Sequence, residues 1–174
     1  SSDVCSSDLK IVITLFLTAL MFIGCSSKET SDTPVVPKLV INKSLATLTL
    51  NDQHEKAHSL KTTTKKVIFA FSKDSAHTCN DFFVTKKPTY LEDNNVAFVA
   101  DVSAAPSLIR SMFIMPGLKD FKHTVLILDD KNVAASYTAN QDVEKIVVVE
   151  LADGIITNIK SVSSVNELVK EIEN

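Results

Sequence analysis

Four runs in this chain carry almost no polar interruption: Val67-Ile-Phe-Ala-Phe71, Val96-Ala-Phe-Val-Ala-Asp-Val102, Thr124-Val-Leu-Ile-Leu128 and Lys145-Ile-Val-Val-Val-Glu-Leu151. A strand with one face in water alternates apolar and polar residues, whereas a run that is apolar on both faces must be covered on both. The runs have strand length and are rich in β-branched and aromatic residues, so they predict a sheet buried from two sides. Helices have to supply the covering layers, which makes the fold class α/β.

Those helices are readable between the runs. Ser75 can cap a helix over about 76–87, with Cys79, Phe82 and Phe83 at i, i+3 and i+4 as its buried stripe and Pro88 ending it. Pro106 can occupy a first turn, after which Leu108, Ile109, Met112 and Phe113 share one face that is expected to be the buried one, and Pro116 closes the segment. Ser164-Val-Asn-Glu167 has the pattern of a capping box and opens a last helix with Val165, Leu168, Val169 and Ile172 inward. A hairpin precedes the core: Lys43 to Leu50 reads as a strand, Asn51-Asp52-Gln53-His54 as its turn, and Ala57 to Leu60 as the return. A second hairpin turns at Ala152-Asp153-Gly154. The expected order is hairpin, β, α, β, α, β, β, hairpin, α, with the strands flanking the first helix parallel.

The N-terminal part has a different character. Lys10 is followed by thirteen apolar or near-apolar residues, then Gly24 and Cys25. The run is too short to span a bilayer and reads as a secretory signal. Its end, Phe22-Ile23-Gly24-Cys25, resembles the lipobox of bacterial lipoproteins, which implies cleavage before Cys25 and acylation of its sulfur. Ser26 follows where an aspartate would favour inner-membrane retention, so the expected location is the outer membrane of a bacterial envelope, facing the periplasm, with membrane lipid as the partner through Cys25. Residues 1–9 put two acids where a signal carries positive charge and read as an artefactual start. The expected organisation is thus residues 1–9 set aside, a signal over 10–24, a lipidated cysteine and polar tether with Pro34 and Pro37 over 25–38, and one domain over 39–174.

Composition narrows the chemistry by exclusion. The net charge is −3 and Arg110 is the single arginine, so there is no basic footprint for nucleic acid. With Gly24 in the signal, only Gly117 and Gly154 remain of the three glycines, too few for a phosphate-cradling loop or a dinucleotide turn, and no cofactor is expected. Downstream of Cys25, Cys79 is the only thiol, which leaves no intramolecular disulfide to form.

The element order, together with Leu48 to Leu60, Phe71-Ser-Lys-Asp-Ser-Ala-His-Thr-Cys-Asn80 and Val125 to Tyr137, resembles the thioredoxin-like superfamily, in the branch of peroxiredoxins and membrane-tethered thioredoxin-like proteins. The resemblance implies a three-layer α/β/α sandwich with a mixed central sheet and an N-terminal β-hairpin. Laid on the family's Cys-x-x-Cys, Cys79 falls at the second cysteine, and Ala76 replaces the first, nucleophilic one. The cis-proline before the third core strand corresponds to His123. Alanine cannot attack a disulfide, so the resemblance implies a domain without dithiol chemistry that acts by binding, in an envelope or redox-accessory role.

Two further readings keep a chemical role. A one-cysteine, peroxiredoxin-like enzyme would use Cys79 as its catalytic thiol. A copper(I) or zinc accessory protein would use His77, Cys79 and His123 as ligands, one sulfur and two imidazoles brought together by the fold. Gly117 and Leu118 to Phe121 are expected to form a loop near that same place. The acidic pairs Glu92-Asp93 and Asp129-Asp130 read as solvated loop tips. Neither a substrate nor a protein partner is legible.

Overall fold

The structure is a computed structural model and describes residues 35–174. The signal over 10–24, Cys25 and most of the tether lie outside the described residues.

All four apolar runs form strands of one seven-stranded sheet. Its members are β1 (Thr49–Asp52), β2 (Ala57–Ser59), β3 (Lys66–Ala70), β4 (Val96–Asp101), β5 (Leu126–Leu128), β6 (Ile146–Ala152) and β7 (Ile155–Val162), in the spatial order β2-β1-β5-β4-β3-β6-β7. Strands β3, β4 and β5 are parallel, and β1 and β6 join them antiparallel, so the sheet is mixed. Alternation along each strand sends Ile68, Phe98, Ile127 and Val148 to one face and Val67, Phe69, Val99, Leu126 and Val149 to the other.

The first face is covered by α1 (Lys73–Phe83), the short α2 (Tyr90–Asp93) and the C-terminal helix, whose Leu168 and Ile172 are buried there. The second face is covered by the helix Lys131–Thr138, through Ala134 and Tyr137, and by the N-terminal Leu39, Leu45 and Leu48. This is the three-layer α/β/α sandwich that the runs require.

The boundaries differ in instructive ways. Helix α1 starts three residues earlier than Ser75 suggests: Ser72 is the N-cap and Ser75 the N3 residue, each side chain bonding the other's backbone N–H at 3.2 and 3.1 Å. Strand β1 runs through Asn51 and Asp52 and not over 43–50, because the turn is closed one step later: Asp52 Oδ1 accepts the N–H groups of His54 and Lys56 at 2.8 and 3.0 Å. The turn between β6 and β7 falls at Asp153-Gly154, both at positive φ of 51° and 76°, the backbone of a two-residue type I′ hairpin.

The segment after β4 is one continuous helical stretch over Ser107–Lys119: α3 (Ser107–Ile109), a π-helical turn (Arg110–Ile114) and α4 (Met115–Lys119). Pro116 does not close it. The Met115 N–H bonds back five residues to the Arg110 carbonyl, and this wider turn lets the helix carry a proline just beyond it. At about 100° per residue, Ile114, Met115 and Leu118 fall on the side of the stretch away from Leu108, Ile109, Met112 and Phe113. The first three pack on the core, while the other four, expected inside, face water at 65, 44, 58 and 66% exposure. The helices that follow are α5 (Lys131–Thr138) and α6 (Val165–Glu173).

Candidate functional site

The resemblance to the thioredoxin-like superfamily expects chemistry at the start of the helix that follows the first core strand, which is α1, directly after β3. Only Phe71 separates the strand from the Ser72 cap. A helix N-terminus favours an anion there, and a cysteine at such a position is easily ionised. The first turn instead holds Ser72, Lys73, Asp74 and Ser75, and the two serine hydroxyls lie 3.1 Å apart with Ser75 Oγ donating to the Ser72 carbonyl at 3.0 Å. The capping interaction occupies the N–H groups of Ser72 and Ser75.

Cys79 stands two turns into α1, where it is completely buried with Phe82 and Phe83. Loss of solvent pushes its thiol up to about 12. At neutral pH the group is therefore held as the thiol, and the sulfur is out of contact with solvent.

His77 is on the other side of the same helix. Two residues on an α-helix point about 200° apart, and His77 is exposed where Cys79 is buried. His123 is elsewhere again. Since β5 runs parallel to β3, the residues before β5 lie at the sheet edge opposite the start of α1. His123 Nε2 meets Asn80 Oδ1 at 2.9 Å, in the C-terminal half of α1, and its ring sits against Phe121, Phe83 and Phe98. His77, Cys79 and His123 are therefore not brought together, and among the described residues no group of three His, Cys, Asp or Glu side chains is placed to hold a metal ion.

The expected counterpart of the cis-proline moves for the same reason. The segment that meets the end of β3 leads into β6, because Ala70 pairs with Ile146, so Lys145 and not His123 stands beside the strand end that leads into α1. No cis peptide occurs among the described residues. Gly117 and Leu118, expected in a loop beside that position, are helical in α4, and Phe121 stacks on His123 with centroids 5.1 Å apart.

His123 belongs instead to a buried polar link that has no mark in the local sequence. Gln53, at the tip of the first hairpin, is 2% exposed; its Nε2 donates to the His123 carbonyl at 2.8 Å and its Oε1 accepts the Val125 N–H at 2.9 Å. Hairpin, β5 and α1 are thereby tied through Gln53, His123 and Asn80, all nearly excluded from solvent. Burial holds the His123 imidazole down at about 4, so it is neutral at physiological pH. At the same hairpin, His58 Nε2 pairs with Asp52 Oδ2 at 2.7 Å. Burial would raise the Asp52 carboxyl, but the Lys56 N–H, His58 and the His54 N–H outweigh it and hold the group below its usual range. Glu92, Asp93, Asp129 and Asp130 are exposed as expected, and Asp130 in addition caps α5 through the N–H groups of Asn132 and Val133.

No protein-family model matches the chain, and no curated protein matches it in sequence. Solved structures do match its shape. A peroxiredoxin-like protein from Aquifex aeolicus superposes with a TM-score of 0.51 at 12% identity, covering 80% of this chain and 89% of that one. The C-terminal domain of a protein assigned as a thiol-disulfide oxidoreductase, from Bacteroides thetaiotaomicron, superposes with a TM-score of 0.51 at 15% identity, covering 79% of this chain and 96% of that one. The domain has the thioredoxin-like fold.

Proposed function

We propose that this chain is a lipid-anchored bacterial envelope protein, facing the periplasm, whose thioredoxin-like domain acts by binding in an envelope or redox-accessory role and not by thiol chemistry. The observation that carries the reading is the state of α1: its first turn is a closed Ser72–Ser75 capping box, and its one thiol, Cys79, is fully buried and pushed up to about 12. A thiol enzyme needs an accessible thiolate at this helix start. A one-cysteine peroxidase using Cys79 would have to open the Phe82–Phe83 core at each turnover, and a copper or zinc site would have to draw His77 and His123 from opposite directions. The anchor is supported by the Lys10 to Cys25 pattern.

Two assays on the full chain test the proposal. Disulfide reduction with a dithiol recycling system and peroxide consumption should both match those of Cys79→Ala. Metabolic labelling with a fatty-acid analogue should mark the wild type and leave Cys25→Ser unmarked. Turnover well above the Cys79→Ala level, or label retained by Cys25→Ser, contradicts the corresponding half of the reading.

A further inference from the structure

Leu108, Ile109, Met112 and Phe113 form one unpartnered apolar stripe on the helical stretch after β4. At their exposures they offer on the order of 400 Å², in the range of the largest apolar patch on a monomer, which is often functional. Ile114, Met115 and Leu118 lie on the other side of the same stretch and pack on the core, which leaves these four together outside.

The stripe also lies close to where the chain leaves the domain. Lys38 donates its N–H to the Ser136 carbonyl at 2.8 Å, and its ammonium rests 5.0 Å from the Tyr137 ring, at the end of α5. Arg110 Nη1 donates to the Asp129 carbonyl at 2.9 Å, just before α5 begins. One eight-residue helix, about 12 Å long, therefore links the base of the tether to the apolar stripe. Val133 on α5 and Val35 and Val36 before Lys38 are exposed as well. Val35 is ten positions beyond Cys25, so a lipid on Cys25 keeps the domain within about 36 Å of the bilayer even at full extension.

We infer that this helix face seats on the surface of the bilayer that carries the anchor, the four side chains entering the boundary between headgroups and acyl chains. The inference rests on the lipid-anchor reading for the domain's proximity to the membrane. Apolar contact is the driving force: Arg110, the basic residue within the stripe, spends its guanidinium on the carbonyls of Val102 and Asp129. Seating should therefore occur on neutral phosphatidylcholine and change little with salt.

The chain has no tryptophan, so a single introduced indole reports its own surroundings. Full-length Phe113→Trp and Val84→Trp proteins, the latter changing an exposed residue at the end of α1, are purified from membranes and placed in vesicles of phosphatidylcholine brominated on its acyl chains. The expected result is blue-shifted emission from Phe113→Trp with quenching several times that of Val84→Trp, diminished when Leu108→Ser and Met112→Ser are added. Equal quenching at the two sites, or none at either, overturns the inference. Emission of Phe113→Trp that follows protein concentration in vesicle-free buffer assigns the face to a second copy and overturns it too. The mass of the Cys25 peptide from the same preparations reports the anchor separately, so a missing acyl group defeats the lipid-anchor reading without deciding the behaviour of the helix face.

Discussion

His123 and Asn80 meet at 2.9 Å inside the domain, Nε2 against Oδ1, with both residues nearly excluded from water. Oδ1 can only accept, so Nε2 carries the proton of the neutral imidazole. The bond joins the segment ahead of β5 to the far end of α1. It is the reason a histidine that resembled a metal ligand in the sequence serves as an internal tie.

Removing one partner should cost more than removing both. Asn80→Leu leaves the His123 N–H buried without an acceptor, and the expected loss is about 1 to 3 kcal/mol in urea denaturation. Adding His123→Leu should recover part of that loss, giving a double mutant less destabilised than the two single losses added together. Strict additivity would show that the bond contributes nothing.

The same residue sets an acid limit on stability. In the unfolded chain the imidazole binds a proton as pH falls through 6.5, whereas burial keeps it neutral in the fold until about 4. Falling pH in that window therefore favours the unfolded chain, by on the order of 1 to 3 kcal/mol once pH reaches 4. Denaturation midpoints should drop between pH 6.5 and 4, and His123→Leu should flatten the profile. An equal slope in the variant would place the acid sensitivity in other groups.

Gly154 is required by the turn between β6 and β7. Its φ of +76° is unfavourable for a residue with a side chain, and an added Cβ would lie 3.0 Å from the Cβ of Ala46. Gly154→Ala should cost about 1 to 2 kcal/mol, because strain and crowding act together. Equilibrium unfolding at neutral pH checks this, and a change of a few tenths would mean that the turn relaxes.

The layered fold was legible because the four apolar runs permit few solutions: residues such as Phe69 and Val148 can be buried from both sides only inside a sheet between helices. Local signals with two readings were not resolved. Ser72 and Ser75 are both plausible caps, and only the backbone decides that one caps and the other completes the box. Helix α5 was missed because its apolar stripe amounts to little more than Ala134 and Tyr137, and Asp130 passed for a loop acid. The outward face of Leu108 and Phe113 was not legible because the stretch carries a second apolar face, Ile114, Met115 and Leu118, and spacing alone does not say which of the two meets the core. Cys79 was legible as a core residue from its place beside Phe82 and Phe83. The burial of His123 was not, because Asp-Phe-Lys-His-Thr reads as a polar loop until Gln53 and Asn80 close around it.

If Cys79 is packing and not chemistry, its substitution should register as stability. Cys79→Ser places a hydroxyl among Phe82, Phe83 and their neighbours and should cost on the order of 1 to 3 kcal/mol. Cys79→Ala should cost less, through a small cavity. Two neutral substitutions in chemical denaturation would show that the sulfur is not part of the core.

The central claim is that the one thiol of this domain is closed to reagents while the domain is folded. It is tested most directly by the labelling rate of Cys79 in full-length chain carrying Cys5→Ser and Cys25→Ser, with a maleimide at neutral pH, in native buffer and in denaturant. Complete burial and a thiol pushed up to about 12 predict prompt labelling in denaturant and essentially none in native buffer over the same interval. Native labelling as fast as that of the unfolded chain would contradict the account.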